Sequence, residues 1–253
     1  MRVLSKNAPG AASALLAGLV IAACSAAPAR APASAPVRPD PHHGGAHGGP
    51  HGGPPLAHAG SGHHRFQDAE RWAKVFDDPA RDAWQRPDAV VRALGLSQSA
   101  TVIDLGAGTG YFTVRLARAV PEGKVLAIDV EPDMVDWLKQ RAARERLTNV
   151  EARLAAPNDP RVTGQAELVL VVDTYHHIED RPAYFRALAE HLTPNGRVAI
   201  LDFKLGELPV GPPEAMRIAP AQVEREMKDA GLALCGSYDE LPYQYLLFFG
   251  VSC

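Results

Sequence analysis

The order of apolar and polar positions divides the chain near residue 65. From Phe66 onward, short apolar runs that predict buried strands alternate with segments whose apolar residues recur at helical spacing. The predicted strands are Thr101–Leu105, Lys124–Val130, Val150–Leu154, Leu168–Val172 and Val198–Phe203. The predicted helices between and after them are Tyr111–Ala119, Pro132–Arg146, Ala183–Leu192 and Ala221–Ala230. Apolar strands joined through helices predict a doubly wound α/β domain with a mostly parallel sheet covered on both faces.

The two ends of this domain depart from the alternation. Two helices, Asp68–Phe76 and Arg86–Leu94, are predicted before the first strand. The candidate core residues of this region are Trp72, Val75, Phe76, Trp84, Val90, Val91 and Leu94. Near the C-terminus, Leu232–Tyr238 and Tyr243–Val251 predict two strands joined by a short turn, which must pair antiparallel. We therefore expect one domain over residues 66–253, with N-terminal helices at 66–96 and an α/β core at 97–253.

Residues 1–23 have the pattern of a secretory signal peptide. Arg2 and Lys6 precede the apolar run Ala11–Ala23. As a helix this run would span about 20 Å at ~1.5 Å per residue, short of a bilayer core of ~30 Å. The run ends in Ile21-Ala-Ala-Cys24, which resembles a bacterial lipobox and implies a lipid anchor on Cys24 at the outer membrane or periplasmic face. The alternatives are an ordinary signal peptide with an incidental cysteine, or a wrongly assigned upstream start codon. The location would be cytoplasmic if the signal-peptide prediction is wrong.

Residues 24–65 have the composition of a disordered tether. Eight prolines and eight glycines fall between Cys24 and Arg65, and few residues there are apolar enough to offset the entropy of ordering. Seven of the ten histidines lie in this segment, namely His42, His43, His47, His51, His58, His63 and His64. Flexible neutral imidazoles predict weak binding of Zn²⁺, Ni²⁺ or Cu²⁺. A hydrophilic spacer is the alternative, and no cysteine or carboxylate cluster completes a defined metal site.

Charge and cysteine content remove several classes of function. The 26 basic and 29 acidic residues give a net charge of −3, so no basic excess indicates nucleic acid as a partner. Three cysteines are too few for a disulfide framework. Cys235 and Cys253 fall on the last two predicted strands, where an oxidising envelope would permit a disulfide. Because the expected register does not clearly place them opposite each other, buried free thiols are the prediction.

The most informative stretch is the glycine-rich turn that follows the first strand. Asp104 ends this strand, and Gly106, Gly108 and Gly110 lead into the next helix. Glycine permits positive φ and a close ligand approach, and bare amides of Gly106–Gly110 and the helix N-terminus are expected to face that ligand. The spacing does not fit G-x-G-x-x-G, which disfavours a nicotinamide oxidoreductase, and a P-loop motif is absent.

The run D-x-G-x-G-x-G resembles motif I of class I S-adenosylmethionine-dependent methyltransferases. The resemblance extends over roughly residues 97–205, and the terminal strand pair fits that family's Rossmann-like seven-stranded sheet of order 3-2-1-4-5-7-6. It implies S-adenosylmethionine as cofactor, with Asp104 holding its amino-acid end. The turn that would pass beneath the methionine part comprises Gly106, Ala107, Gly108, Gly110 and Tyr111.

The same resemblance assigns residues to the ribose and the adenine. Asp129 ends the second strand, at the spacing expected for an acid that accepts hydrogen bonds from both ribose hydroxyls. Val130 and Met134 match the segment beside the adenine, although Met134 could equally be a core residue. The commonest position for an acid after the third strand holds Ala156, which departs from the family. Asp159 or Asn158 is the candidate replacement, and both also fit an ordinary turn.

The segment after the fourth strand carries the candidate catalytic groups. Ligands of open α/β sheets bind outside the carboxyl ends of the strands, so polar side chains there should face cofactor and acceptor. The candidates are Asp173, which could also touch the cofactor, together with Tyr175, His176 and His177, and Asp202 after the fifth strand. Methyl transfer needs alignment above all, and a histidine base would help a hydroxyl or thiol acceptor. Alternatively, a histidine there only orders the loop.

Two hypotheses follow. The first is an S-adenosylmethionine-dependent methyltransferase that acts on a small-molecule acceptor and is carried on a lipid-anchored tether. The second is a catalytically inactive, membrane-tethered protein that uses the same fold to bind a ligand or metal. Export conflicts with the cytoplasmic synthesis of S-adenosylmethionine, whereas the intact Asp104, glycine turn and Asp129 argue against loss of activity.

Overall fold

A computed structural model describes residues 66–253, and the predicted signal peptide, the tether and its histidines lie outside this range. Seven strands form one sheet of order β3-β2-β1-β4-β5-β7-β6. Their bounds are β1 Thr101–Leu105, β2 Lys124–Asp129, β3 Val150–Leu154, β4 Ala166–Val172, β5 Leu192–Phe203, β6 Ala233–Tyr238 and β7 Gln244–Gly250. Strands β1 to β5 are parallel, and β7 runs antiparallel to β5 and β6. The predicted fold class is confirmed.

Helices account for the remaining regular structure. Their bounds are α1 Ala69–Phe76, α2 Ala80–Gln85, α3 Pro87–Ala93, α4 Tyr111–Ala119, α5 Pro132–Arg144, α6 Arg181–Ala189 and α7 Pro220–Asp229. Proline at the first turn opens α3, α5 and α7, where its missing N–H costs no intrahelical bond. The sequence did not predict α2. Its six residues are too few to show a helical period, and Arg86 ends it with φ 50°.

Two buried layers cover the faces of the sheet. One packs beneath α6 and α7 and includes Phe185 and Val223, and the other packs beneath α3 and α4 and includes Leu94 and Leu116. Val90 and Leu94 are fully buried as predicted, whereas Val75 is 43% exposed on the outer side of α1. The prediction of Val75 as a core residue is therefore wrong.

The two C-terminal cysteines form a disulfide. Cys235 on β6 and Cys253 are bonded with their Cα atoms 5.3 Å apart. Ala233 pairs with Gly250 on β7, and the residues after Gly250 return toward β6, where Cys235 Sγ lies 3.9 Å from the Ser252 carbonyl oxygen. Cys235 is half-buried and Cys253 is exposed. The prediction of buried free thiols is wrong, because it considered only the paired register and not the returning tail.

Neither a membrane-spanning helix nor a clustered metal site occurs in residues 66–253. No helix in this range has the length and apolar character needed to cross a bilayer. The same range has no group of three or more histidine, cysteine, aspartate or glutamate side chains arranged to hold a metal ion.

Candidate active site

The candidate functional groups meet at the carboxyl edge of the parallel strands. The glycine turn follows β1, Asp129 ends β2, Asp173 and the two histidines follow β4, and Asp202 lies near the end of β5. Because β7 is antiparallel, its first residues reach the same edge. The chain order of the strands reverses between β1 and β4, and a sheet of this kind opens a crevice at that point.

The glycine turn is shaped by three positive φ angles. Gly106, Gly108 and Gly110 have φ of 72°, 55° and 89°, a region that L-residues rarely adopt. A Cβ on Gly106 would also fall 2.4 Å from Thr174 Oγ1, so a larger residue cannot occupy this position without moving the chain after β4. The turn therefore connects β1 to α4 while packing directly against the β4 loop.

The backbone amides of this turn are not bare. Gly106 and Ala107 donate to the Ile128 carbonyl oxygen at 2.8 and 3.0 Å, and Gly108 donates to Asp129 Oδ2 at 2.8 Å. Gly110 donates to the Ala107 carbonyl oxygen at 2.9 Å. For these four amides the expectation of a bare, ligand-facing N–H is wrong, because three of them bond to β2 and that of Gly110 bonds within the turn. The space beside the three glycines is taken by Thr174, Phe76 and Leu138, so the missing Cβ atoms permit close packing within the protein.

Asp129 is the acid at the end of β2 and is only 8% exposed. Besides the Gly108 amide, it accepts the Glu131 amide on Oδ1 at 2.9 Å. Burial raises the pKa of this carboxyl, although the bonds from Glu131 and Gly108 favour its charged form. A carboxylate has about four acceptor positions, and the backbone amides of Glu131, Gly108 and Val130 act on this one. The carboxylate keeps acceptor capacity for a further donor such as a ribose hydroxyl.

The residue after Asp129, Val130, is an exposed apolar side chain where the adenine contact is predicted. Val130 is 47% exposed, whereas Met134 is buried in the first turn of α5. The Asp129 carbonyl oxygen accepts the Ala155 amide at 2.9 Å, so the end of β3 adjoins the same place. Asp159 is exposed in the following turn, where its Oδ1 accepts the Arg161 amide at 2.7 Å. Its predicted contact with the adenine stays a prediction.

Asp104 lies beneath the glycine turn and is 2% exposed. Thr113 Oγ1 donates to its Oδ2 at 2.6 Å, which ties the end of β1 to the first turn of α4. Burial raises the pKa of this carboxyl to about 6, despite the opposing effect of the Thr113 bond. Because burial disfavours the charged form of this carboxyl, a nearby cation would stabilise it.

Helices α1 and α2, here called the cap, cover the turn and dock on Tyr111. The Phe76 ring of α1 lies 3.6 Å from where a Cβ of Gly108 would stand. The Tyr111 hydroxyl donates to Asp82, and its ring lies beneath the guanidinium groups of Arg81 and Arg115, at 4.4 and 4.1 Å. The contacts of Tyr111 are therefore with the cap and α4, and they do not bring it together with Asp129.

Asp173 is the second anchor of the cap. Its carboxylate accepts Arg81 Nη2 at 3.1 Å and Gln85 Nε2 at 3.2 Å from α2, and Gln244 Nε2 from β7. Gln85 and Gln244 are also bonded to each other at 3.0 Å. Burial raises the pKa of Asp173 to about 6, although the Arg81 charge lowers it. Sequence analysis missed Arg81, Gln85 and Gln244, since they carry no motif and lie far from Asp173 in the chain.

His176 and Asp202 form a buried pair at the ends of β4 and β5. His176 Nδ1 lies 2.9 Å from Asp202 Oδ2 and 3.2 Å from Oδ1. The two side chains are 4% and 0% exposed. Burial disfavours the charged imidazole, but the hydrogen bond and charge of Asp202 outweigh it and raise the pKa of His176. Nδ1 is thus directed at Asp202, and Nε2 is the other ring nitrogen of this imidazole.

The 3₁₀ turn Tyr175–His177 separates the other two candidates. The ring of His177 stays with the site, since its centroid lies 4.2 Å from that of His176 and 5.7 Å from that of Phe66. Tyr175 is fully buried, stacks on Phe185 at 5.4 Å and donates its hydroxyl to Glu226 at 2.7 Å. The structure thus brings His177 beside His176 and turns Tyr175 toward α6 and α7.

Comparison with known proteins agrees with this geometry. A family model described as "Methyltransferase domain" matches residues 96–246, which is more than half of the chain. A solved structure of an S-adenosylmethionine-dependent methyltransferase from Aquifex aeolicus superposes with a TM-score of 0.67 at 26% identity. That likeness covers 72% of this chain and 97% of the other.

Curated relatives match over shorter stretches. An arsenite methyltransferase of Halobacterium salinarum is 31% identical over 104 residues, covering 40% of this chain and 27% of its own length. A trans-aconitate 2-methyltransferase of Afipia carboxidovorans is 30% identical over 138 residues, covering 52% and 48%. The chain therefore spans less than half the length of these relatives. The S-adenosylmethionine dependence of the Aquifex aeolicus protein agrees with the cofactor predicted from the glycine turn and Asp129. The protein belongs to the methyltransferase domain family.

Proposed function

We propose that this protein transfers a methyl group from S-adenosylmethionine to a small-molecule acceptor, with His176 as general base. The observation that carries the proposal is the buried His176–Asp202 pair, which lies on the same sheet edge as the glycine turn and Asp129. A buried imidazole that is oriented by a carboxylate is a common arrangement for proton abstraction.

The cofactor residues divide by the part of the molecule they fit. Asp129 would take the ribose hydroxyls, and Val130 would lie against the adenine. The glycine turn would lie along the methionine part, with Asp104 near its ammonium group. When bound, S-adenosylmethionine supplies a methyl carbon that is activated by the positive charge on sulfur.

The pair then determines where the acceptor proton goes. Asp202 accepts the Nδ1 proton of His176, so the lone pair of the neutral ring lies on Nε2. When Nε2 takes the acceptor proton, Asp202 stabilises the resulting imidazolium without itself being protonated. A positioned base of this kind contributes roughly 10²- to 10⁴-fold to rate.

Two features support a small acceptor rather than a polymer. The cap lies over the glycine turn through Phe76, and Phe66, which precedes α1, lies beside His177, so together they cover part of the edge. The net charge of −3 offers no basic surface excess for nucleic acid.

Release of S-adenosylhomocysteine tests the activity. The purified full chain is incubated with S-adenosylmethionine and a panel of hydroxyl, thiol, amine and carboxylate compounds, and both products are quantified. For the acceptor that is turned over, Asp202→Asn should lower kcat and shift the acid limb of the rate profile to lower pH, because the charge that raises the pKa of His176 is lost. If the His176–Asp202 pair only helped to bind the acceptor, Asp202→Asn would change neither kcat nor the acid limb of the rate profile. If S-adenosylhomocysteine does not bind and no acceptor is methylated, the proposal fails.

We also propose that the protein is exported and lipid-anchored through Cys24. The leader pattern supports this, and so does the Cys235–Cys253 disulfide, since such bonds persist in oxidising compartments. Mass spectrometry of the native protein from its membrane fraction should find a lipid on Cys24, the disulfide intact and any co-purified nucleoside. An unlipidated chain with reduced thiols in the soluble fraction would overturn the proposal.

A further inference from the structure

A carboxylate on α7 joins the two ends of the turn that carries His176. Glu226 Oε2 accepts the Tyr175 hydroxyl at 2.7 Å and Arg181 Nε at 2.6 Å, and its Oε1 accepts Arg181 Nη2 at 3.0 Å. Tyr175 is the first residue of the 3₁₀ turn, and Arg181 is the first residue of α6. The two partners of Glu226 therefore lie before and after His176 in the chain.

Tyr175 fixes the first end of the turn. Its side chain is fully buried, and its ring stacks on that of Phe185 at 5.4 Å. Because the ring is packed in this way, the hydroxyl has one direction, which is toward Glu226. A buried hydroxyl that lost its acceptor would be unfavourable, so the ring stays in place while the carboxylate is there. His176 is the next residue, and its backbone position depends on this contact.

Arg181 fixes the other end of the turn. Its Nη1 donates to the Ile178 carbonyl oxygen at 3.0 Å, directly after the turn. The Ile178 amide in turn donates to the Tyr175 carbonyl oxygen at 3.2 Å. A guanidinium is planar and rigid, so the two nitrogens that bind Glu226 set the direction of the third toward Ile178. The turn is thus closed through its backbone and, from outside, through Glu226.

Glu226 is held in its ionised form on α7. Gln222, one turn earlier in the same helix, donates its Nε2 to Oε1 at 2.9 Å. Burial raises the pKa of Glu226, but the bonds from Arg181, Gln222 and Tyr175 outweigh it and hold the pKa at about 2. The carboxylate is therefore charged throughout the pH range in which a histidine titrates.

This charge matters to the imidazole because it compensates that of Arg181. Burial and the charge of Arg181 lower the pKa of His176, whereas the bond and charge of Asp202 and the charge of Asp173 raise it. Glu226 pairs with Arg181 at 2.6 Å and so limits the effect of that cation. The other titratable and charged groups around the imidazole are Tyr175 and His177 of the turn, Arg81 on Asp173, and Tyr245 of β7, which is opposite Asp202 in the sheet.

We propose that Glu226 is a positioning residue for His176, whose carboxylate holds the turn so that Nδ1 stays on Asp202. This inference rests on the proposed methyl transfer, in which the lone pair on Nε2 takes the acceptor proton. Glu226 acts through Tyr175 and Arg181, which together leave the imidazole one orientation.

Nitrogen NMR of the imidazoles tests the inference on the full chain, without cofactor or acceptor. The histidines are labelled with ¹⁵N, and the His176 signals are identified by their loss in His176→Gln. In Glu226→Gln, the share of the neutral ring that carries its proton on Nδ1 should fall, because the turn loses its ionic contact. The midpoint of the His176 titration should move lower by about 0.5 pH unit or more, because Arg181 loses its counter-charge. Glu224→Gln, at an exposed position of the same helix, is the matched control and should match the wild type in both quantities.

Tyr175→Phe provides a second variant that leaves the charges in place. It retains the ring on Phe185 and the Arg181–Glu226 pair, and it removes only the hydroxyl bond. The Nδ1-protonated share should again fall, with a smaller change in the titration midpoint. An unchanged tautomer in Glu226→Gln would overturn the inference. If that variant does not fold, an unchanged tautomer in Tyr175→Phe would do so.

Kinetics with the acceptor that is turned over separate this inference from the proposed function. Glu226→Gln should lower kcat roughly 3- to 10-fold and shift the acid limb of the rate profile to lower pH, because the base is weaker and less well oriented. Acceptor KM and the dissociation constant for S-adenosylhomocysteine should not change. Wild-type kcat in Glu226→Gln would overturn the inference while the methyltransferase proposal stands. A changed tautomer together with no methylation by the wild type would overturn the proposed function and leave Glu226 as the residue that orients His176.

Discussion

The two halves of the carboxyl edge are built in different ways. The cofactor half, with the glycine turn, Asp104 and Asp129, is held by bonds between adjacent parallel strands, and Gly108 and Asp129 are only 21 residues apart. The acceptor half joins distant parts of the chain, since Arg81 and Asp173 are 92 residues apart and Gln85 and Gln244 are 159 apart. The cofactor half is thus determined by the sheet, whereas the acceptor half depends on how the cap packs against it.

This difference implies that cofactor binding and turnover can be separated by substitution. Backbone bonds to the Ile128 carbonyl and to Asp129 fix the turn on β2, and the cap packs over it through Phe76. The base and the acceptor surface depend on β5, β7 and α2 together. Changes in the acceptor half should therefore leave cofactor affinity intact, and changes at Asp129 should leave the base intact.

The largest effect is expected from His176→Gln. Glutamine retains polarity but cannot take a proton, so kcat should fall roughly 10²- to 10⁴-fold. The dissociation constant for S-adenosylhomocysteine, measured by calorimetry, should not change, because His176 belongs to the acceptor half. His191→Gln is the matched control, since that imidazole lies away from the edge and bonds the Gly164 carbonyl. A loss of cofactor binding in His176→Gln would show that the two halves are not separable.

Asp129→Asn tests the other half and should have the next largest effect. The amide retains one acceptor oxygen but loses the charge and one ribose partner, so cofactor affinity should fall by about 1–3 kcal/mol, or roughly 5- to 150-fold. At saturating cofactor, kcat should approach that of the wild type. Asp133→Asn provides the control, since its carboxylate accepts only the exposed Asp68 amide. Unchanged affinity in Asp129→Asn would refute the ribose assignment.

The same division explains what the sequence could predict. The cofactor half depends on short-range order, in which an apolar strand delivers Asp104, three glycines turn the chain and the next strand delivers Asp129. These features are adjacent in the sequence, and parallel register then brings Leu105 opposite Ile128. The positions of Asp104 and Asp129 were predictable for this reason. The antiparallel C-terminal pair followed from its short turn, and the strand order followed from the resemblance to the methyltransferase family.

The acceptor half and the disulfide depend on contacts that no local pattern encodes. Nothing in a six-residue α2 indicates that Arg81 and Gln85 meet Asp173, and the Cys235–Cys253 bond depends on the direction of a three-residue tail. The bare-amide expectation failed for a related reason. A sequence shows which amides a glycine turn has, but the bonds from β2 decide whether they are free.

Arg81→Met should loosen the packing of the cap and weaken acceptor binding, with a smaller effect than the substitutions at His176 and Asp129. It removes the ion pair with Asp173, the bond to the Phe76 carbonyl and the stacking on Tyr111, and it retains the aliphatic length of the side chain. We expect a loss of about 1–2 kcal/mol in acceptor binding free energy, measured as a roughly 5- to 30-fold rise in acceptor KM. The affinity for S-adenosylhomocysteine should not change.

The control for the cap is Arg71→Met on α1. Arg71 is exposed and its guanidinium lies 5.9 Å from the Trp72 ring, so acceptor KM should stay within twofold of the wild type. If Arg81→Met behaves like Arg71→Met, docking of the cap does not depend on Asp173. The acceptor half would then tolerate the loss of this long-range contact.

The smallest effect is expected at Asp104, where stability and cofactor binding should change in opposite directions. Its pKa is about 6 in the folded protein and ordinarily 3.8, so the folded state binds more protons between these values. Stability therefore falls as pH rises from about 4 to 6 and stays at its lower level above that. Asp104→Asn removes the cost of burying the charge and should raise Tm at pH 7.5 by about 2–4 °C, roughly 1 kcal/mol.

A pH scan decides whether the rise in Tm is due to removal of the buried charge of Asp104. Thermal unfolding from pH 4 to 8 should show a weaker pH dependence in Asp104→Asn, with the remainder due to Asp173, Asp129 and His176, whose pKa values are also raised. Asp88→Asn, at an 80% exposed side chain, should leave the profile unchanged. The same Asp104 variant should bind S-adenosylmethionine more weakly, because the cofactor's ammonium loses its carboxylate partner. A destabilised variant with full affinity would mean that Asp104 serves the fold through Thr113 and not the cofactor.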